Sequence, residues 1–182
     1  YDPLALSREA LVDAVQKNDN SGASARHSGR RWRFPCCYDA PHGEDIAEAA
    51  GRLGMSVERL VALHAGATYR IYMYGFAPGF AYLGGLPAEL GISRREKPRP
   101  PHPSGAIMIA GGMSLVTTFP MPTGWWVLGR TPERMFAPGR DPACLAAVGD
   151  EIRFEPVDAA SFARLEARAA AGEPVALPDR PA

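Results

Sequence analysis

The stretch YGFAPGFAYLGGLP, from Tyr74 to Pro87, sets four aromatic rings among four glycines and two prolines. So much glycine and proline is unfavourable in a core strand, and a surface loop rarely holds so many rings. The mixture is typical of a rigid, aromatic-lined loop beside a pocket, where glycine permits close backbone approach and proline fixes the shape. A hydrophobic loop that caps the end of a barrel is the alternative, and composition leaves both open.

Outward from this loop, the sequence has the texture of a β fold. Residues 69–74 alternate, with Tyr69, Ile71 and Met73 on one face, and residues 106–110 are apolar throughout, as in a strand buried on both faces. Further strands are predicted at 32–38, 114–119, 125–128 and 151–157, and helices within 1–17 and at 44–53, 56–64 and 158–171. Short strands between Gly/Pro turns favour a barrel or sandwich, so we predict a mainly β fold with flanking helices.

Composition narrows the functional class. The chain has 182 residues, with 20 basic and 20 acidic side chains and a formal net charge of zero, so nothing indicates binding to nucleic acid or to a membrane surface. Its 18 prolines and 19 glycines favour a loop-rich β fold over a helical bundle. The three cysteines are sparse, with Cys36 and Cys37 adjacent, which indicates a reducing compartment and hence a cytoplasmic protein.

A change in composition predicts the domain boundaries. Residues 18–30 are polar, small and rich in Gly and Ser, as in a flexible linker. We therefore expect residues 1–30 to form the end of one domain plus the linker, residues 31–157 to form the β domain, and residues 158–182 to form a terminal helix and tail. The chain does not begin with Met, so we expect it to be a trimmed fragment.

Three common catalytic or nucleotide-binding motifs are missing from the sequence. It contains no phosphate-binding loop, no G-x-S-x-G nucleophile elbow and no H-E-x-x-H zinc helix. The four histidines are scattered without metal-ligand spacing, so no metal site is expected. His64 falls on the apolar stripe of its helix, which favours a core or interface histidine over a catalyst. Cys37 lacks a nearby base, which favours a structural thiol over a nucleophile.

Arginines are the charged residues of most interest. Arg94, Arg95, Lys97 and Arg99 alternate with prolines that hold the segment extended. This segment is either a solvated basic loop or an anion clamp, since guanidinium binds carboxylate and phosphate in a bidentate way. Arg130 ends an apolar strand that begins with two tryptophans, so we expect it at a barrel mouth, where it needs a protein acid or an anionic ligand.

A series of ordered motifs within residues 31–157 resembles the family of allophanate hydrolase subunit 1-like proteins. That family includes the subunit of 5-oxoprolinase designated B, the sporulation kinase inhibitor of bacilli and the carboxyltransferase region of urea carboxylase. The motifs are PCCYDAPHGEDI, YGFAPGFAYLGGLP, SRREKPRP, AIMIAGG, GWWVLGRTP and VGDEIRFEPV. The resemblance implies a cyclophilin-like β-barrel for this region. It also implies that residues 1–17 are the end of a small N-terminal α/β domain.

The resemblance implies a subunit of a hetero-oligomeric enzyme that acts on C–N bonds. A homologous subunit 2 would complete the site, and the complex would use ATP to open an amide or lactam such as 5-oxoproline. Two alternatives remain from the same resemblance. One is a carboxyltransferase half that acts with a biotinylated protein on a urea-like amide, and the other is a regulatory module that inhibits a histidine kinase.

These reactions build negative charge on amide, carboxylate or phosphate oxygens, which arginines stabilise. We therefore predict Arg130 and Arg99 as catalytic residues. The predicted substrate-binding residues are Tyr74, Phe76, Pro78, Phe80, Tyr82, Arg95 and Trp125. The chain departs from the family pattern where Met113 replaces a Gln and Thr117 replaces a Tyr, so a pocket that includes these positions would be less polar. The aromatic loop and the Trp125–Trp126 pair predict an exposed apolar patch.

Overall fold

The computed structural model of the chain describes residues 5–19 and 29–179. Its helices are α1 (Arg8–Asp19), α2 (Ile46–Arg52), α3 (Val57–Gly66) and α4 (Ala159–Ala170). Its strands are β1 (Arg31–Cys36), β2 (Tyr69–Tyr74), β3 (Ala81–Gly84), β4 (Arg99–His102), β5 (Ala106–Ala110), β6 (Met113–Val116), β7 (Met121–Thr123), β8 (Trp126–Arg130), β9 (Glu151–Pro156) and β10 (Leu177–Pro178). The mainly β fold with flanking helices is confirmed.

Helices α1, α3 and α4 begin where the sequence supplies a capping side chain. The Ser7 hydroxyl accepts a hydrogen bond from the N–H of Ala10 at 3.2 Å, and Ser56 accepts one from the N–H of Arg59 at 3.2 Å. The Asp158 carboxylate does the same for α4 through the N–H of Ser161. Each cap satisfies a backbone donor that has no partner within the helix. Most of the predicted linker at 18–30 lies outside the described residues.

Eight of the strands form one sheet in the order β10-β1-β9-β2-β3-β6-β5-β8. β1 and β9 are parallel, and the other pairs within this sheet are antiparallel. Cys37, one residue beyond β1, forms an isolated bridge with Arg130 at the end of β8, and both of its backbone hydrogen bonds measure 2.9 Å. The sheet therefore curls until two distant strands meet at one point, although no continuous ladder closes it among the described residues.

One face of this sheet carries a larger hydrophobic core, and the part of the other face around β3, β5, β6 and β8 carries a smaller one. β5 shows the division most clearly, since Ile107 and Ile109 belong to the larger core and Met108 belongs to the smaller one. The larger core lies between the curved sheet and helices α2 and α3. The smaller core contains Phe80, Ala106, Met108, Ala110, Leu115, Trp125 and Val127. The prediction of a strand buried on both faces at 106–110 is thus confirmed.

Part of the aromatic stretch is a strand, contrary to the expectation that it would be a loop throughout. Ala81 and Leu83 of β3 point into the larger core, while Tyr82 packs against the smaller one. The strand can form because the two glycines with left-handed backbone lie on either side of the residues that pair. Gly79 and Gly85 both have positive φ, and β3 pairs with β2 and β6 between them.

The predicted alternation of β2 is also interrupted. Tyr69 and Ile71 are fully buried, but the register shifts between Ile71 and Met73 where β2 pairs with β3. This irregularity re-aims the side chains that follow. As a result, Met73 is exposed instead of lying on the Tyr69 face.

His64 lies in the larger core, as its place on an apolar stripe indicated. Its ring stacks on Phe154 with centroids 5.0 Å apart, and its Nδ1 is 2.8 Å from the hydroxyl of Tyr38. Burial lowers the pKa of His64 to about 3, because the charged ring would lose its hydration. A neutral His64 is therefore part of the folded core.

The C-terminal segment folds against the sheet. The ring of Phe162 on α4 is buried, and its centroid lies 4.1 Å from that of His42. β10 extends the sheet by pairing with β1. The division of the chain at residue 157 stays a prediction.

Candidate active site

Arg130 lies at the end of β8, where the sheet meets α4. Its Nε donates a hydrogen bond to the carbonyl oxygen of Ser104 at 2.8 Å, and its Nη2 forms an ion pair with Glu166 at 2.8 Å. The guanidinium carbon lies 5.3 Å from the ring centroid of Phe162. Its Nη1 has no hydrogen-bond acceptor among the described residues. The guanidinium is thus held in place by protein while part of its donor capacity is free.

A cavity of about 550 Å³ opens beside Arg130. Its walls come from the 104–105 turn, the segment after β6, the segment after β8, and α4. The lining residues include Thr117, Thr118, Arg130, Glu133, Phe136 and Glu166. The volume falls within the range of about 300–1,000 Å³ that is typical of small-molecule sites. Thr117, one of the departures from the family pattern, lies in this wall, whereas Met113 does not.

A second, smaller cavity of about 170 Å³ also includes Arg130. His42 and Glu44 line it, so two titratable side chains lie near the guanidinium. The pKa of His42 is lowered by burial first and by the positive charge of Arg130 second, while Glu166 and Asp39 act in the opposite direction. His42 is therefore a neutral imidazole near neutral pH, able to accept or donate one hydrogen bond.

Glu133 is a buried carboxylate in the large cavity, but its contacts are structural. It accepts hydrogen bonds from the N–H groups of Val175 and Ala176 at 2.6 and 2.7 Å, and Arg140 lies 3.4 Å away. Satisfied in this way, the charge is tolerated in the interior. Glu133 therefore anchors the segment that follows α4.

Arg95 and Arg99 are bound by acids at the start of α2. Arg95 Nη1 is 3.0 Å from Asp45 and 2.8 Å from Glu48, and Arg99 Nε donates to the same Asp45. Asp45 also accepts the backbone N–H of Val127 at 2.9 Å. Glu44 and Asp45, the acidic pair at the start of α2, thus form ion pairs with these arginines, and Asp45 makes no side-chain capping bond.

The rest of the proline-arginine segment forms one wall of a separate cavity of about 540 Å³. Arg94, Lys97 and Glu96 line it together with Trp126. The Trp126 ring lies 4.4 Å from the guanidinium carbon of Arg95 and 5.2 Å from that of Arg52. Trp126 therefore makes cation–π contacts with Arg95 of this segment and with Arg52 of α2.

The predicted aromatic residues lie elsewhere, against the smaller core. Phe76 is 72% exposed and stacks on Phe119, with centroids 6.0 Å apart. It is the one residue other than glycine with positive φ among those described, at 71°. Phe80 is buried beneath it, at 5.2 Å between centroids, and Tyr82 follows at 5.5 Å from Phe80. Phe76 and Phe119 thus form an exposed aromatic ridge above the buried Phe80, and none of these rings lines the Arg130 cavity.

Three further predictions can be placed. Pro78 is exposed in the turn of the aromatic loop, and Tyr74 donates a hydrogen bond to the carbonyl oxygen of Ala146 at 2.8 Å. Trp125 is buried in the smaller core and Trp126 in the larger. The expectation that the tryptophan pair forms an exposed patch is therefore wrong, because the strand presents the two rings to opposite cores. Phe76 and Phe119 are exposed instead.

Most of the predicted site residues thus fall into three regions, the aromatic ridge, the Asp45 ion pairs and the Arg130 cavities, whereas Tyr74 and Trp125 pack in the two hydrophobic cores. Glu44 connects the last two, since it lines the small cavity and lies 3.7 Å from Arg99. The sequence interpretation missed His42, Thr118 and Glu166. A signal for Glu166 did exist, because Phe162 and Glu166 are four residues apart and share one face of the terminal helix.

The described residues include neither a metal-binding cluster nor, at Cys37, a thiol in a reactive environment. No group of three His, Cys, Asp or Glu side chains within them could hold a metal ion. Cys37 is buried, and burial is the main cause that raises its pKa, as for an unreactive thiol. Among the helices of the described ranges, none is long and apolar enough to cross a membrane.

The curved sheet with its flanking helices is the fold of a carboxyltransferase-type domain. The family model "Carboxyltransferase domain, subdomain C and D" matches residues 1–146, most of the chain, and the chain belongs to this family. The motif resemblance is thereby confirmed. Arg130 lies inside the matched region, whereas Phe162 and Glu166 lie beyond it.

Named relatives agree with this assignment. The chain is 38% identical to the subunit designated B of the 5-oxoprolinase of Bacillus subtilis over 121 residues, which are 66% of this chain and 50% of that protein. It is 34% identical to the same subunit of the Escherichia coli O157:H7 enzyme over 154 residues, 85% of this chain and 70% of that protein. The chain therefore spans half the length of the Bacillus relative.

Solved structures share the fold. A conserved uncharacterized protein from Pyrococcus horikoshii superimposes with a TM-score of 0.70 at 34% identity, covering 89% of this chain and 74% of that one. The urea amidolyase of Kluyveromyces lactis gives a TM-score of 0.68 at 12% identity, covering 98% of this chain and 13% of that one. At that identity the second comparison concerns the fold alone.

Proposed function

We propose that this chain is the small subunit of an ATP-dependent amide or lactam hydrolase of the 5-oxoprolinase type. A homologous second subunit completes the site, and the substrate is a small molecule with an amide or lactam carbonyl. Arg130 binds an anionic group of the substrate or of the transition state. The identity of 34–38% to the corresponding subunits of two bacterial 5-oxoprolinases supports this proposal.

The observation that carries the proposal is the state of Arg130. Its guanidinium is fixed by Ser104 and Phe162, lines two cavities, and keeps Nη1 without a protein acceptor among the described residues. A preorganised donor of this kind stabilises developing negative charge without having to reorganise during the reaction. Neutral His42 lies near the same guanidinium and supplies a group able to transfer a proton.

The experiment that tests this function is reconstitution. The chain is co-expressed with the homologous subunit 2 and the remaining oxoprolinase component from the same genome, and ATP-dependent conversion of 5-oxoproline to glutamate is measured. We expect turnover that requires this chain and ATP, and whose kcat/KM falls by about 100-fold with Arg130→Gln. Equal turnover by the complex without this chain would refute the assignment.

A carboxyltransferase half is the second candidate. The description of the matching family favours it, since that family is named for carboxyl transfer. In this case Arg130 would hold the carboxylate that passes from carboxybiotin to a urea-like amide. Carboxylation of urea by the reconstituted complex with a biotinylated carrier, in place of 5-oxoproline cleavage, would select it.

A further inference from the structure

Glu166 of α4 holds one side of the Arg130 guanidinium and remains accessible to solvent. Its side chain is 45% exposed, and the ion pair with Arg130 Nη2 at 2.8 Å is its one polar contact among the described residues. Exposed ion pairs of this kind contribute little to stability. Glu166 can therefore leave Arg130 and be solvated at small cost.

The other carboxylate of the cavity is different. Glu133 is buried and bound by two backbone N–H groups and by Arg140. Moving it would leave those buried donors without acceptors, which is costly. Of the two acids in this cavity, Glu166 is thus the mobile one, and it is the one in contact with Arg130.

The free hydrogen-bond donors of Arg130 and the size of the cavity favour a carboxylate as the ligand. Arg130 Nε is used by Ser104, which leaves Nη1 and Nη2 for a ligand once Glu166 has moved. A guanidinium binds a carboxylate through two parallel N–H···O bonds, and a single-point ion pair such as that with Glu166 uses only part of this capacity. The cavity of about 550 Å³ has room for a small organic acid next to the guanidinium.

We propose that Glu166 is a built-in competitor that occupies Arg130 until the carboxylate of a small-molecule ligand displaces it. The inference rests on the proposed function in so far as it takes the Arg130 cavity as the substrate site. It adds to that function a role at the site for Glu166, a residue beyond the region that the family model matches.

The test is a titration of the full 182-residue chain in complex with subunit 2, followed by the NMR signal of the Arg130 Nε–H group. The probes are 5-oxoproline and 2-pyrrolidinone, which share the lactam but differ in the carboxylate. We expect 5-oxoproline to shift the signal and 2-pyrrolidinone to leave it unchanged. Glu166→Gln removes the competing charge and is expected to lower the Kd for 5-oxoproline by about two- to fivefold.

Two variants serve as controls. Glu173→Gln removes another exposed carboxylate, which lies 2.9 Å from Arg168 and outside the cavity lining, and should leave the Kd unchanged. Arg130→Gln should abolish the binding. The inference is overturned if 5-oxoproline does not bind, if 2-pyrrolidinone binds equally well, or if Glu166→Gln leaves the Kd unaltered.

The same variants separate this inference from the proposed function. Tighter binding by Glu166→Gln in a reconstituted complex that does not hydrolyse 5-oxoproline would uphold the competitor and refute the function. Normal ATP-dependent hydrolysis with an unchanged Kd and KM in Glu166→Gln would support the proposed function and refute the role of Glu166 as a competitor.

Discussion

Arg99 and Arg130 were both predicted from the sequence to be catalytic residues, yet their surroundings in the structure differ. Arg99 shares with Arg95 the carboxylate of Asp45, whose side chain is 0% exposed. Arg130 faces Glu166, whose side chain is 45% exposed. The lesson is that an arginine is available to a ligand only when its counter-charge can leave, and burial of the acid decides that.

The largest expected effect concerns Asp45. Asp45→Asn removes a buried charge shared by two guanidinium groups, and breaking a buried ion pair typically costs about 3–5 kcal/mol. We expect a loss of that order in the free energy of unfolding, measured by urea denaturation at pH 7. Glu48→Gln is the matched control, because Glu48 contacts Arg95 too but is 42% exposed, and it should cost less than about 1 kcal/mol. Equal effects of the two substitutions would contradict the contrast between buried and exposed acids.

His64 defines a background that any pH study of these arginines must subtract. Its pKa is about 3 in the folded protein, below the ordinary value of 6.5, because the ring is buried. Below pH 6.5, His64 binds a proton in the unfolded chain but not in the folded chain. The free energy of unfolding therefore falls as the pH falls. The expected slope is about 1.4 kcal/mol per pH unit, or roughly 3 kcal/mol between pH 6.5 and pH 4.

Urea denaturation between pH 7 and pH 4 measures this slope. His64→Gln, which cannot titrate, should show a clearly shallower decline over the same interval, even though it is less stable at pH 7. A variant with the same slope as the wild type would mean that His64 is not the group responsible.

Activity should separate the two arginines in the opposite sense to stability. Arg130→Gln is expected to lower kcat/KM of the reconstituted complex by about 100-fold, as for loss of one preorganised donor to a developing charge. Arg99→Gln should reduce stability but change kcat/KM little, because Arg99 is already bound to Asp45. Arg130→Lys keeps the charge without the fork and should recover only part of the activity. A larger kinetic defect in Arg99→Gln would reverse our assignment.

Local patterns were sufficient to predict much of the fold but not the grouping of the site. The strand at 151–157 and the helices at 56–64 and 158–171 were predicted from short-range patterns, and the corresponding elements are present. β3 was missed because its glycines and prolines suggest a loop, while its pairing with β2 and β6 depends on distant residues.

The grouping of the site depends on contacts that a linear sequence does not contain. Asp45 meets Arg95 and Arg99 some fifty residues later in the chain, and Arg130 meets Glu166 across the joint between sheet and helix. The sequence indicated that Arg130 needs either an acid or an anionic ligand. Only the three-dimensional arrangement shows that the acid is present and accessible.

The smallest expected effect is the most discriminating one for the two arginines. Glu166→Gln should change the free energy of unfolding by less than about 1 kcal/mol, because the pair is exposed and α4 is held by other contacts. Those contacts are the buried ring of Phe162 and the hydrogen bonds of Glu133 to the segment after the helix. Phe162→Ala, by contrast, should cost about 3–5 kcal/mol.

If Glu166→Gln instead destabilised the protein by about 2 kcal/mol or more in urea, beyond the range of an exposed ion pair, Glu166 would be a clamp for α4. Arg130 would then be held by its acid as firmly as Arg99 is, and the distinction between the two arginines would disappear.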